Sequence, residues 1–292
     1  MSTTKSVHYL NGKFVEEKDL LISPRDIGFS RGYAVFDFLV TYGGRPFMLG
    51  AHLDRLYNSA KLVGLNISMS KKELHNAVLK TLAANNYPLG RSASKSEKSI
   101  KVAVSGGIPN AVPPVGLPTK GNETVIIMVD DVHLLPRKMF DVGAHYGLVK
   151  FRRYTPQAKT NDYTEAMIQI QKGQRTHQIE PIYYDDTQVY EASTSNVFAL
   201  VGGELLTPKS NVLGGVTRDV LLKILKLKIP VKKADFKLED LRRATEVFIT
   251  ASNKDILPVT KLAGKKVGNG KVGPVTKECM RQFTEFVQSN KW

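Results

Sequence analysis

The sequence holds one cysteine, Cys279, which excludes an internal disulfide and a cysteine-rich metal site. Long apolar runs are missing too. The longest, such as Val125–Val129, fall far short of the roughly 20 residues a membrane helix needs. The opening stretch, MSTTKSVHYLNGK, lacks the apolar segment of a secretion signal. Together these absences predict a reducing, cytoplasmic setting with no membrane partner. The net charge is +15, yet no zinc-finger, RNP or arginine-rich pattern accompanies it. The lysines are scattered, as at Lys71 and Lys72, Lys232 and Lys233, and Lys265 and Lys266. That distribution predicts a basic solvated surface rather than a nucleic-acid partner. No internal repeat, low-complexity segment or metal-ligand pattern stands out.

What is present suits a globular chain. Hydrophobic residues make up 42% and charged residues 24% of 292, enough for a large core in one or two domains. Val7–Leu10 and Lys13–Glu16 flank Asn11 and Gly12, which predicts a hairpin. Tyr33–Tyr42 reads as a strand. Leu53, Leu56, Ala60 and Val63 fall on one face of a helix over Ala51–Leu62. A second helix is expected over Lys71–Ala84, with Ser70 as N-cap and Glu73 completing a capping box. Ser99–Ser105 and Thr124–Val129 are strand-like, separated by a Pro- and Gly-rich loop over Gly106–Gly121.

The second half predicts helices over Asn161–His177, Thr217–Leu227, Leu238–Ala244 and Val275–Gln288. Strands are expected at Pro181–Asp185, Val197–Val201, Glu204–Thr207 and Val247–Thr250, with a glycine-rich hairpin over Gly264–Gly273. Without regular βαβ alternation the class is α+β. The expected division is a small domain over 1–132, a linker over 133–137 and a larger domain over 138–292.

Several positions carry chemistry. Lys159 sits in TPQAKTNDYTEAM at the edge of a helix, where partial desolvation would lower its pKa and suit amine chemistry. Glu191 precedes an unusual cluster of short polar residues, Ser193 to Asn196. LGGVTRD, at Leu213–Asp219, is a glycine loop opening a helix, so the amides of Val216 and Thr217 could meet a phosphate. Arg55 offers either a guanidinium fork for a phosphate or an ion pair with Asp54 or a neighbouring element.

In order and spacing, the stretches SPRDIGFSRGYAVFD, HLDRL, AKTNDY, YEASTSNVF, GGVTRDV and GKVGPVTK resemble the class IV pyridoxal-phosphate aminotransferases. That family includes D-amino-acid transaminases, branched-chain transaminases and aminodeoxychorismate lyase. The resemblance implies a small α/β sandwich and a larger domain with a barrel-like sheet, a pyridoxal 5′-phosphate cofactor, and a homodimer. It implies that Lys159 attaches the cofactor and moves the Cα proton. Glu191 would keep the pyridine nitrogen protonated. Arg55, the backbone at Val216 and Thr217, and Ser252 would hold the phosphate. Tyr163 would reach the ring hydroxylate, and Asn196 would steady the cofactor region.

The expected reaction moves an amino group from an amino acid to a 2-keto acid. Gly106 stands where one type of D-amino-acid transaminase has an arginine, so that carboxylate trap is absent. A different subgroup carries an RGYxxFD motif, which Arg31 in SRGYAVFDF matches. It also has a basic residue early in the following strand, where this chain has Lys101. Arg31 and Lys101 are therefore expected to clamp a carboxylate, with Lys101 otherwise a solvent-facing strand residue. A D-amino acid such as D-glutamate or D-alanine is the expected donor. Phe36, with Tyr33 and Phe38, would instead line an apolar pocket in a branched-chain enzyme. An aminodeoxychorismate lyase and a non-catalytic binding protein are the further alternatives.

Overall fold

The structure is a computed structural model that describes residues 6–87, 89, 97–110, 118–133 and 135–292. Two units emerge. One combines Met1–His133, Ala158–Asp162 and Trp292; the other combines Leu134–Gln157 and Tyr163–Lys291. Unlike the expected division, it clusters Trp292 and the segment bearing Lys159 with the first unit, although the flanks of that segment belong to the second.

The described elements of the first unit are β1 (Val7–Leu10), β2 (Lys13–Glu16), α1 (Ile27–Arg31), β3 (Ala34–Tyr42), β4 (Arg45–Pro46), α2 (Leu49–Leu62), α3 (Lys71–Ala84), β5 (Lys98–Ser105) and β6 (Thr124–Asp131). They build an antiparallel six-stranded sheet in the order β2-β1-β6-β5-β3-β4. Asn11 and Gly12 join β1 to β2 with positive φ at both residues, as a tight hairpin requires. Alternate residues of β5, namely Ile100, Val102 and Val104, are buried. They share a core with Leu53 and Leu56 of α2 and Leu74, Val78 and Leu82 of α3. The capping box of Ser70 and Glu73 starts α3 as expected. The short helix α1 was not foreseen. Buried Asp26 caps it by accepting from Gly28 N at 2.7 Å, and also receives the hydroxyls of Ser105 and Thr124. The expected loop over Gly106–Gly121 includes residues 111–117, which lie outside the described residues.

The second unit contains α4 (Arg137–Val142), β7 (Ala144–Lys150), α5 (Thr164–Gln174), β8 (Pro181–Tyr184), β9 (Val189–Ala192), β10 (Asn196–Val201), β11 (Glu204–Thr207), α6 (Val216–Ile224), β12 (Val231–Lys233), α7 (Leu238–Arg243), β13 (Glu246–Ala251), β14 (Asp255–Leu262), β15 (Lys265–Lys266) and α8 (Pro274–Gln288). Its strands follow the order β12-β11-β10-β13-β14-β7-β8-β9, with β15 paired to β14. Parallel pairs (β14 with β7, β7 with β8, β11 with β12) mix with antiparallel ones, and the sheet curls into a half-barrel. Tyr146, Ile182, Val197, Ile249 and Leu257 pack inside it with Leu241 of α7.

Three expectations shift. Residues before Thr164 are not helical, because Thr160 bridges to Val35 of β3 and the chain there is extended. Within the expected linker, Leu134 lies outside the described residues and Arg137 already opens α4. α6 ends at Ile224, where Leu225 turns extended. The strand β14 hid behind Pro258, a residue that argues against a central strand. All four residues of β9 are buried, so it shows no alternation to read.

Candidate active site

In the first unit, β3 buries Val35, Asp37 and Leu39 on one face. It thus places a carboxylate where the strand period calls for an apolar side chain. Helix α2 supplies the partners at helical spacing: His52, Arg55 and Ser59. Arg55 forks onto Asp37, with Nε and Nη2 each donating at 2.8 Å. His52 Nδ1 lies 2.6 Å from Asp37 Oδ1. The Asp37 and His52 side chains are fully buried, and that of Arg55 is 11% exposed. Burial works to raise the Asp37 pKa. The charges of Arg55 and His52 and their hydrogen bonds outweigh it and hold the carboxyl well below its ordinary range. Burial lowers the His52 pKa against the pull of Asp37. His52 Nδ1 and the Arg55 fork thus meet the Asp37 carboxylate together. The Nε2 of His52 is buried with no hydrogen-bond partner among the described residues. Asp54, the other partner considered for Arg55, takes Lys71 instead.

The same frame fixes Lys159. Phe36 N donates to Lys159 O at 3.0 Å, and Asn161 N donates to Ala34 O at 3.1 Å. Lys159 N donates to Ser59 Oγ at 3.0 Å, and that hydroxyl donates onward to Arg55 O at 2.8 Å. The amine of Lys159 lies 4.6 Å from the centre of the Phe36 ring. Lys101, from β5, brings its amine to 4.8 Å from the same ring. Lys101 is thus half-buried rather than solvent-facing, and burial lowers its pKa. Phe36, Lys101 and Lys159 form one cluster. Arg31 ends α1 and is exposed.

In the second unit, Glu191 on β9 is buried. Its Oε2 accepts from Leu213 N at 2.9 Å and Asn196 Nδ2 at 3.3 Å, and its Oε1 from Arg153 Nη1 at 3.1 Å. Asn196 also donates to Leu213 O at 2.9 Å, which ties Glu191 to the loop before α6. Gly215 is the N-cap of α6 and brings no capping side chain. A Cβ there would fall 1.8 Å from Asn196 Oδ1, so only glycine permits this approach. The first amides of α6, at Val216 and Thr217, have no partner within the helix. Arg218 on the same turn is buried, with Nε and Nη1 unpartnered among the described residues. Thr250 Oγ1 is likewise buried and unpartnered. Ser252 sits half-buried in the turn between β13 and β14, and Tyr163 is the N-cap of α5.

The polar cluster Ser193–Ser195 finds its explanation in buried Glu180. That carboxylate accepts from Ser193 Oγ at 2.6 Å, Thr194 N at 2.7 Å, Thr194 Oγ1 at 2.9 Å and Ser195 Oγ at 2.7 Å. It also takes the ammonium of Lys254 at 2.6 Å. Asp37, His52, Ser59, Arg153, Glu180 and Lys254 were all absent from the sequence reading. The signal for Asp37 was available, as a charged residue in phase with buried Val35 and Leu39. Nothing in sequence announces that Lys254 and Glu180, far apart in the chain, meet.

The sequence profile of the family described as amino-transferase class IV matches residues 34–262. A protein from Methanocaldococcus jannaschii named putative branched-chain-amino-acid aminotransferase is 32% identical, over 97% of this chain and 96% of that protein. A D-alanine aminotransferase from Listeria monocytogenes is 31% identical, over 95% of each. Among solved structures, the branched-chain amino acid aminotransferase of Escherichia coli superposes with a TM-score of 0.87 at 26% identity, covering 99% of this chain and 97% of that one.

Proposed function

Because this chain belongs to the class IV aminotransferase family, whose members use pyridoxal 5′-phosphate, we propose that it moves an amino group from a D-amino acid such as D-glutamate or D-alanine to a 2-keto acid. The observation that carries a carboxylate-bearing substrate is the pair of amines over Phe36. A substrate reacting at Lys159 comes within reach of a second, half-buried cation, Lys101, whose partial desolvation strengthens its pull on a carboxylate. The D-alanine aminotransferases among the relatives support the D-donor.

The residues fit the cofactor. A helix start with no side-chain cap, a glycine cradle at Gly215 and unpartnered buried donors at Arg218 and Thr250 suit an anion in the second unit. A buried carboxylate with defined partners suits a protonated ring nitrogen. Pyridoxal 5′-phosphate, when bound, supplies the electron sink for the Cα–H bond cleavage and carries the amino group between half-reactions. Lys159 would attach it; its amine would take the proton from the amino acid Cα and pass it to the cofactor in one half-reaction, and deliver a proton to the α-carbon of the accepting keto acid in the other. Glu191 holds the proton on the ring nitrogen, and Asn196 keeps Glu191 in place. Arg55, the amides of Val216 and Thr217, and Ser252 hold the phosphate, while Tyr163 meets the ring hydroxylate. Lys101 and Arg31 bind the substrate carboxylate, and Phe36 packs against the substrate. The keto product of the first half-reaction leaves before the accepting keto acid binds, so the kinetics are ping-pong. A cytoplasmic homodimer fits the single cysteine and the family resemblance.

A second reading, a branched-chain L-amino-acid aminotransferase, is favoured by the name of the Methanocaldococcus relative. One experiment separates the two. The cofactor-loaded protein is mixed with D-glutamate, D-alanine, L-glutamate or L-leucine without acceptor, and its absorption followed. Bleaching by the D-forms alone supports the proposal. Bleaching by L-leucine and L-glutamate selects the second reading. Bleaching retained by Lys159→Ala would overturn the assigned chemistry.

A further inference from the structure

We propose that Lys254 is a positioning residue for the cofactor phosphate, tethering the turn that carries Ser252 to the rigid Glu180 cluster. The proposal rests on the assignment of Ser252 made above. Residues 252–254 form the turn between β13 and β14, and Lys254 N donates to Ala251 O at 3.1 Å. The Lys254 side chain points inward and is buried. An ammonium has three hydrogens, and all three are used: on Glu180 Oε1 at 2.6 Å, Thr194 Oγ1 at 2.6 Å and Ser195 Oγ at 3.0 Å. Those acceptors are Glu180, the residue before β8, and the turn between β9 and β10, strands that carry Glu191 and Asn196 respectively.

The arrangement is asymmetric in a useful way. Glu180 grips the Ser193–Ser195 turn through four hydrogen bonds of its own and receives Tyr146 OH at 3.1 Å as a fifth. Without Lys254, Glu180 keeps all five, and Glu191 keeps its own separate partners. The Ser252 turn, however, loses every side-chain bond that Lys254 makes for it. A buried ion pair is a poor way to gain stability, because apolar residues of the same volume fill such a space without desolvating two charges. It is a good way to fix one turn against another, since each charge admits a single satisfied geometry.

Removal of Lys254 should therefore weaken phosphate recognition and spare ring recognition. Dissociation constants for pyridoxal 5′-phosphate and for pyridoxal are measured by absorption titration on the full chain. The unaltered protein, Ser252→Ala, Lys254→Met and the charge-neutral pair Glu180→Gln/Lys254→Met are compared. Lys254→Met should lose affinity for pyridoxal 5′-phosphate about tenfold, the scale of one charge-assisted hydrogen bond, and for pyridoxal less than about twofold. The double variant, which carries no lone buried charge, should still show the phosphate-selective loss. Wild-type preference in the Lys254 variants, with Ser252→Ala impaired, would overturn the inference alone. Equal loss for both ligands would reduce Lys254 to framework support and overturn it as well. An unimpaired Ser252→Ala would overturn the assignment of Ser252, and the inference with it.

Discussion

Asp37→Asn should destabilise the first unit far more than an ordinary polar substitution. The asparagine keeps the shape of the side chain but removes its charge. It also puts an N–H₂ in place of one carboxylate oxygen, so that one of Arg55 Nε and Nη2, which now donate to separate oxygens at 2.8 Å each, meets another donor. Asp37 is fully buried and Arg55 nearly so. Breaking such a pair leaves a buried guanidinium uncompensated, at roughly 3–5 kcal/mol. That is a large share of the ~5–15 kcal/mol that holds a typical domain. The only tryptophan, Trp292, packs edge-on against Phe47, with ring centres 4.8 Å apart, and both belong to the first unit. Its fluorescence in urea therefore reports the unit in question. The cofactor-free full chain would be unfolded as wild type, Asp37→Asn, Arg55→Met and the double variant. A coupling of about 2 kcal/mol between the two sites is expected. A loss below about 1 kcal/mol in Asp37→Asn, additive with Arg55→Met, would refute the reasoning, since that is the behaviour of an exposed pair.

Other outcomes follow from the same geometry. Gly215→Ala forces a methyl against Asn196 Oδ1 and should cost roughly 1–3 kcal/mol of overpacking, with weaker retention of pyridoxal 5′-phosphate on dialysis. Lys101→Met should raise the KM for D-glutamate about tenfold with a smaller effect on kcat; steady-state kinetics decides, and equal effects would indicate a framework role. Burial lowers the Lys101 pKa, so in the native enzyme that KM should climb at a pH below the ordinary lysine range. Burial works to raise the Glu180 pKa, but Lys254 and the serine hydroxyls bring it down to about 2 from an ordinary 4.5. A depressed folded pKa means stability that is complete above the unfolded value and lost as pH falls through the folded one. Circular dichroism should show the wild type losing stability between pH 4.5 and about 2, and the Glu180→Gln/Lys254→Met variant losing less over the same window.

Much of the fold was legible because local rules agreed with the tertiary ones. The hairpin at Asn11 and Gly12, the capping box at Ser70 and the bounds of α3 come directly from turn and cap chemistry. Where packing overrode local preference, the reading failed. β14 carries a proline, β9 is buried on both faces, and Asn161 continues a polar run into α5 yet is held extended by β3. At the candidate site, Lys159 and Arg55 stood out in sequence, but the groups that hold them did not. Asp37 reads as one acid in an aromatic strand, and Ser59 as one more polar residue of a helix. Their meaning depends on α2 lying over β3, which no local pattern states.

The five residues Ala158–Asp162 join the first unit while the chain on either side of them belongs to the second. A cut near residue 133 would therefore not yield two self-sufficient pieces. The N-terminal fragment would keep β3 but lose the backbone that receives Phe36 N and reaches Ala34 O. It would expose part of a strand margin with unsatisfied hydrogen bonds, the kind of margin that recruits foreign chains. The lysine would leave with the other fragment. The amine of Lys159 would thus part from the strand whose backbone holds that segment in place. Anyone dividing this enzyme for reporter or complementation work should place the break elsewhere, or carry the borrowed segment across with its host.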